Sequence, residues 1–386
     1  MKTCKRLIAM LLLFCMLLGL CACSSTKETE PAKEEAAAEN TAAAAETAEE
    51  VSADGTQDFS GRELVLGAWS GTFADACMKA YVEPFEKLTG AKITIEQYGD
   101  DVVAKVIAQK EQGVDGYDII TGCGVQDQIA VMASRDALTP LDYSKLPNAE
   151  GVSDNAKFEY AIGQYIISSN LAWNKDVYGD NPPDTMEKYF DVENYPGNRG
   201  MISYSGTGQL ESALIADGVA VEELYPLDTE RAFSVLDRIK PYVTCWWSSG
   251  GEIRQALASG EVDCGLFWGG SVIEGIETDN MSNIEISQQD AYMIVDCFGI
   301  TATCEDLELA HAFINYCVSG EASARWAELK FYSPVTPAAF DYLDANLTKY
   351  FSSNEEYADQ TWWINVDFWI DNFETLNEEY LLWISR

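Results

Sequence analysis

Between Arg62 and Thr121 the chain alternates short apolar runs with stretches of helical period, and that alternation restricts it to a largely parallel α/β sheet. Arg62-Glu-Leu-Val-Leu-Gly67 reads as a strand. Phe73, Cys77, Tyr81, Phe85 and Leu88 then recur at helical spacing up to Gly90, with a kink expected at Pro84. Residues 91–97 alternate as a second strand, Val102, Val103, Val106 and Ile107 mark a second helix, and Tyr117-Asp-Ile-Ile-Thr121 is a third strand. Right-handed crossovers make the three strands parallel and put the turns after them on one edge. Trp69 and the Gly122-Cys-Gly124 turn are therefore expected to face one cleft.

A second strand-to-turn unit lies at 253–271. Ile253 to Leu257 is helical in pattern, and Gly260 supplies the left-handed position that ends such helices. Val262 to Phe267 is an apolar run with Asp263 at its entry, as in a strand covered on both faces. Trp268 follows at the carboxyl end, next to Gly269, Gly270 and Ser271, which leave room for a ligand. Position alone leaves two readings open: ligand wall, or core aromatic. Trp247, in Cys245-Trp246-Trp247-Ser-Ser-Gly-Gly251, is a further aromatic candidate. The turn Ser205-Gly-Thr-Gly208 precedes a helix, where backbone N–H groups hold an anion or simply close a tight turn; it has neither the Walker lysine nor the dinucleotide glycine spacing. Gln164 to Trp173 is an extended segment long enough to pass from one lobe to another. Tyr292 to Thr301 is strand-like, with Asp296 its lone charge, which must be paired, hydrogen-bonded or meet a ligand. Trp362 to Ile384 is aromatic-rich and helical in pattern, which predicts mainly packing.

The N-terminus has the form of a targeting signal: Lys2, Lys5 and Arg6 precede the apolar stretch Leu7 to Leu20, shorter than the ~20 residues of a spanning helix. Leu20-Cys-Ala-Cys23-Ser24 resembles a bacterial lipobox, which predicts removal of 1–22 and lipid attachment at Cys23, a lasting membrane anchor. Residues 23–60 are Ala, Glu, Thr and Lys with few large apolar side chains, the composition of a disordered tether.

Loss of three basic residues with 1–22, which hold no acids, takes the net charge from −38 to −41 and argues against nucleic acid as a partner. Seven cysteines remain after Cys23, without a C-x-x-C pair, which indicates neither a zinc site nor a disulfide framework. The single histidine, His311, sits in a helix-like run and is expected to be structural. Metal sites, cofactors and catalytic residues are accordingly not expected.

The folded region resembles the extracellular solute-binding proteins of ABC importers, in particular their spermidine/putrescine-binding branch. The resemblance is carried by Gly67-Ala-Trp69, Pro84-Phe-Glu-Lys-Leu-Thr-Gly90, Tyr117-Asp-Ile-Ile120, Phe190-Asp-Val-Glu-Asn-Tyr-Pro-Gly197, Gly260-Glu-Val-Asp263 with Phe267-Trp268-Gly-Gly-Ser271, and Tyr332-Ser-Pro-Val-Thr-Pro337. It implies a two-lobed α/β fold of the type II periplasmic-binding-protein class, with two crossover strands near Ile166 and Asp296 and a ligand cleft between the lobes. Lobe 1 is expected over 61–166 plus 297–338, and lobe 2 over 167–296 plus 339–386. The resemblance further implies a non-enzymatic, monomeric, membrane-anchored extracytoplasmic protein that passes a small polyamine-like solute to a permease. Trp69, Trp268, Asp296 and Tyr332 match aromatic or acidic positions of the family's polyamine box, which holds ammonium groups by ring faces and carboxylates. Trp247, Gly122 and Ser205 complete the expected ligand contacts. Gly122 and Gly124 stand where polyamine binders carry serine and tyrosine, and Ser205 and Gly206 where they carry an acid. A zwitterionic or anionic solute, or a sensor lipoprotein without transport, is the alternative.

Overall fold

A computed structural model describes residues 57–206 and 208–386, within the compact unit Glu49–Arg386. The signal segment, the tether and Cys23 lie outside the described residues. Strands β1 (Glu63–Trp69), β2 (Lys92–Tyr98) and β3 (Ile119–Gly124) are parallel, with β1 in the middle. The helix between β1 and β2 is irregular earlier than its proline suggests. A π turn at Met78–Val82 separates two α-helical pieces, and it contains Ala80, the residue whose carbonyl the Pro84 ring crowds.

Two long strands then pass between lobes: β4 (Ile162–Asn174) and, much later, β8 (Tyr292–Thr301). With β5 (Arg199–Ile202), β6 (Val243–Trp247) and β7 (Cys264–Trp268) they form the main path of an 11-stranded sheet, in the order β2-β1-β3-β8-β4-β7-β5-β6, three short strands pairing off it with β4 and β8. Strand β8 is antiparallel to both β3 and β4, and β4 is antiparallel to β7. The helices include α1 (Gln209–Ala216), α2 (Gly250–Ser259), α3 (Gly269–Thr278), α4 (Gly320–Lys330) and α5 (Val366–Ser385).

The two crossover strands divide their side chains between separate cores. Ile162, Ile166, Val295 and Cys297 belong to one core with β1 to β3 and α4, whereas Leu171, Trp173, Tyr292 and Ile294 belong to another with α1 and α5. A third core gathers Trp247, Ile253, Phe267 and Val272 behind β6 and β7. Residues 339–351, expected with lobe 2 from the sequence, instead bring Ala339, Leu343 and Phe351 against Ala324 and Ala327 of α4. The chain rejoins the second core at Trp362.

His311 is buried and structural in its contacts: Nε2 accepts from the Asp142 N–H at 3.0 Å, while Nδ1 lies 2.6 Å from the Leu307 carbonyl, four residues back on its own helix. The seven cysteines from Cys77 to Cys317 are all free thiols, and only Cys245 is partly exposed. Among the described residues no helix is long and apolar enough to cross a membrane, and no group of His, Cys, Asp and Glu is placed to hold a metal.

An aromatic column runs through the first core toward the cleft. Tyr81 stacks on Trp326, Trp326 on Tyr165 and Tyr165 on Tyr332, with ring centroids 5.4, 5.3 and 4.8 Å apart. Trp326 is fully buried at its centre. Replacing so large a buried ring leaves a cavity, so Trp326→Ala is expected to lower unfolding stability by about 3–5 kcal/mol. A urea titration checks this, and an unchanged midpoint would show that the column adds no stability.

Candidate ligand-binding cleft

The site is assembled from strand ends. β1 stops at Trp69, β3 at Gly124 and β7 at Trp268, and all three deliver residues to one cavity of about 990 Å³. Its wall includes Trp69, Gly122, Ser205, Trp268, Asp296 and Tyr332. Six of the seven ligand-contact candidates therefore share one cavity.

Trp247 is the exception. It is buried in the third core, edge-on to Trp268 with ring centroids 5.1 Å apart, and does not reach the cavity. As the last residue of β6 its side chain falls on the covered face, and the chain reaches the cavity only at Ser248, Ser249 and Gly250. Trp247 thus supports the Trp268 ring rather than lining the cavity.

Trp69 is held by its indole N–H, which donates to the Gly122 carbonyl at 2.7 Å, and by Tyr98, edge-on at 5.2 Å. Gly122 has φ +75°, and a Cβ there would come within 2.5 Å of Phe73 and 2.9 Å of Trp69. Only glycine permits that backbone with two rings so close. Gly270 performs a similar service in the facing lobe, where a Cβ would meet the Tyr332 ring at 2.6 Å.

Asp296 owes its position to register. It pairs across the ladder with Gly124 on one side and Tyr165 on the other, and directly opposed residues point to the same face. The Tyr165 hydroxyl accordingly donates to Asp296 Oδ2 at 2.5 Å. No lysine, arginine or histidine forms an ion pair with Asp296 among the described residues. Burial pushes its carboxyl up to about 7 despite the Tyr165 hydrogen bond, and the charge of Asp127 acts in the same direction as burial. The site thus offers an enclosed carboxylate, open to the cavity and flanked by rings.

Several lining residues escape the sequence reading. Tyr165 lies in the crossover strand, where period-2 alternation does not say which side chain meets a ligand. Asp127 follows the Gly124 turn by three residues, so a charge just beyond a strand's carboxyl end was the available signal. Phe373 and Asn377 come from α5, whose aromatic pattern predicts only packing; Asn377 Oδ1 accepts from the Ser205 N–H at 3.0 Å. The Ser205 hydroxyl is buried, with no partner among the described residues. Lys330 ends α4 at the cavity, donating to the Thr72 hydroxyl at 3.3 Å.

With this geometry in view, comparison with known proteins identifies the class. Residues 80–358 match the family model of bacterial extracellular solute-binding proteins, and the chain belongs to that family. A gamma-aminobutyric acid-binding protein of Pseudomonas aeruginosa is 23% identical over 335 residues, covering 84% of this chain and 92% of that protein. Spermidine/putrescine-binding periplasmic protein 1 of Haemophilus influenzae is 24% identical over 263 residues, 66% of this chain and 71% of the other. Among solved structures, the Atu4243 GABA receptor has a TM-score of 0.75 at 27% identity, covering 84% of this chain and 98% of that one. AgtB of A. tumefaciens R10, solved with agropinic acid, has a TM-score of 0.68 at 30% identity, covering 84% and 99%. The two-lobed fold expected from the sequence is the fold of these proteins.

The raised Asp296 carboxyl has a consequence for the ligand-free protein. A carboxyl easier to protonate in the folded than in the unfolded chain stabilises the fold at low pH, and that contribution is lost as pH rises from about 4 to about 7. Removing the group removes its share. The melting temperature of Asp296→Asn is therefore expected to fall less than that of the unsubstituted protein between pH 5 and pH 8. Equal falls in a buffered melting series would sink the assignment.

Proposed function

We propose that this protein is the solute-binding component of an ABC importer, capturing a small amine-bearing, polyamine-like solute outside the cytoplasm and presenting it to a membrane permease. In this reading it acts as a monomer held at the membrane by lipid on Cys23, with 23–60 as tether. Lobe 1 comprises 61–166 and 297–338 with 339–351 packed on its α4, lobe 2 comprises 167–296 and the chain from Trp362 to Arg386, and the solute sits between them.

The observation that carries the proposal is Asp296: a carboxylate facing an aromatic-walled cavity with no cationic partner from the protein. An ammonium group supplies the missing charge, and the faces of Trp69, Trp268 and Tyr332 attract the same cation. Ser205 and Gly122 line the remaining wall. Family membership supports solute capture over catalysis. Lobe closure over the bound solute is the conformational step that a permease reads.

A second reading is a zwitterion, with its ammonium at Asp296 and its carboxylate at Lys330 or the Ser205 turn. Lys330 at the cavity and the gamma-aminobutyric acid for which the Pseudomonas relative is named favour it.

A thermal-shift panel of amines, amino acids, phosphonates and organic acids on the chain from residue 24 tests the reading. Amines are expected to raise the melting temperature, and Trp69→Ala and Asp296→Ala are each expected to weaken the binding at least roughly 10-fold, as loss of a charge-assisted or cation–π contact implies. A response confined to anionic solutes would reject the amine reading and make the Ser205 turn the anchor.

A further inference from the structure

Strand β8 carries a cysteine directly after Asp296, and register gives it a cysteine partner. Cys297 is the direct ladder partner of Cys123 on β3, one step along from the Asp296–Gly124 pair. Alternation along the strands turns this second pair away from the cleft and into the first core, where both side chains are fully buried. On its other side Cys297 pairs with Gly163 of β4. Of its two ladder partners only Cys123 therefore carries a side chain. Both residues are thiols in this structure.

Directly opposed Cα atoms of antiparallel strands lie about 4.5 or 5.5 Å apart, within the roughly 4.4–6.8 Å that a disulfide spans, and opposed side chains leave on the same face. A bond between Cys123 and Cys297 thus calls for side-chain rotation rather than a new register. The ladder itself is interrupted here. Between Cys297 and Phe298 the β3 partner jumps from Cys123 to Thr121, which leaves Gly122 out, and between Asp296 and Cys297 the β4 partner jumps from Tyr165 to Gly163, which leaves Gln164 out. Bulges therefore break the backbone pairing on both sides of one residue, in a strand that passes between the lobes. A covalent tie at that residue fixes the register that sets Asp296 opposite Tyr165.

The thiols are protected once the fold is complete. Burial pushes both of them up, and Asp296 and the neighbouring Cys123 add to the effect at Cys297. A thiol kept protonated in a core is a poor nucleophile, so the time for oxidation is while the chain folds. Members of this family act outside the cell, where disulfides persist.

We propose that Cys123 and Cys297 are a disulfide-forming pair, oxidised as the exported chain folds, whose bond locks the register of β8 beside the cleft. The thiolate of one cysteine attacks the disulfide of an external oxidant and releases one of its two thiols. The other cysteine then attacks the mixed disulfide, forming the Sγ–Sγ bond and releasing the second thiol. Two electrons pass from the pair to the oxidant, and the two cysteine protons end on the released thiols. The bond forms whatever solute the cleft takes.

The test is refolding of the chain from residue 24 out of urea in a buffer of reduced and oxidised glutathione, followed by thiol titration in denaturant and peptide mapping without reductant. The chain has seven cysteines, Cys77 to Cys317, and is expected to lose two thiols, with one cross-linked peptide joining Cys123 to Cys297. Its melting temperature is expected to exceed that of protein refolded in dithiothreitol by roughly 5 °C or more, because the tie closes a long loop. Cys297→Ser is expected to lose no thiol in the same buffer, whereas Cys245→Ser, which removes the one partly exposed thiol, loses two as before. A refolded chain that keeps all seven thiols, a cross-link between any other pair, or equal melting temperatures would overturn the proposal. Mapping of the unsubstituted chain decides the pairing even where a variant does not fold.

Discussion

The cleft depends on one hydrogen bond, from the Tyr165 hydroxyl to Asp296. It joins the two crossover strands at the place where they are direct ladder partners, so the two chain segments that pass between the lobes are tied at the carboxyl that faces the cavity. Tyr165 is in turn clamped between Trp326 and Tyr332 in the aromatic column, which anchors the hydroxyl to the first core. A side chain with two soft torsions, stacked on both faces, has little freedom left to lose when a solute arrives. The result is an acceptor fixed in space and poor in protein donors.

The rest of the cleft is arranged around that fixed point by close approach of backbone to rings. At Gly122 a left-handed backbone lets Trp69 and Phe73 close in, and the carbonyl of the same residue takes the indole N–H of Trp69. Gly122, which differs from the polyamine pattern, is thus a structural device of this chain. It exchanges a side-chain contact for ring placement. On the opposite lobe Trp268 is steadied from behind by Trp247, and α5 reaches the cavity with Phe373 and Asn377 while Trp369 and Tyr380 hold it in the second core. The rings of Trp69, Tyr332, Trp268 and Phe373 therefore line the same cavity.

How much of this is legible without coordinates varies with the kind of signal. The β-α-β-α-β alternation from Arg62 to Thr121 specifies parallel strands because crossover handedness leaves little choice, and the strand-to-turn unit ending at Trp268 follows from a helix stop and a short apolar run. The lone Asp296 in an apolar strand is conspicuous because burial of an unpaired charge is costly. Trp247 and the C-terminal helix are the opposite case. Aromatic residues serve cores and ligands alike, and composition does not distinguish the Trp247 that packs from the Trp268 that lines the cavity, or the Trp369 that packs from the Phe373 four residues later. The placement of 339–351 on α4 is likewise invisible in the chain order, since a short apolar segment packs against whichever helix the preceding turns bring near it.

By itself the sequence determined the fold class, the cleft-facing edge of the sheet, the strand ends that carry Trp69 and Trp268, and the strand whose lone charge is Asp296, because periodicity, turn chemistry and crossover handedness are local properties. Only the tertiary structure decided which residues converge. The register of β8 between β3 and β4 sets Asp296 opposite Tyr165, a column of rings fixes that hydroxyl, and the turn after β3 brings Asp127 and Gln126 to the same cavity. These are contacts between segments tens to hundreds of residues apart, and no pattern along the chain encodes a distance across it.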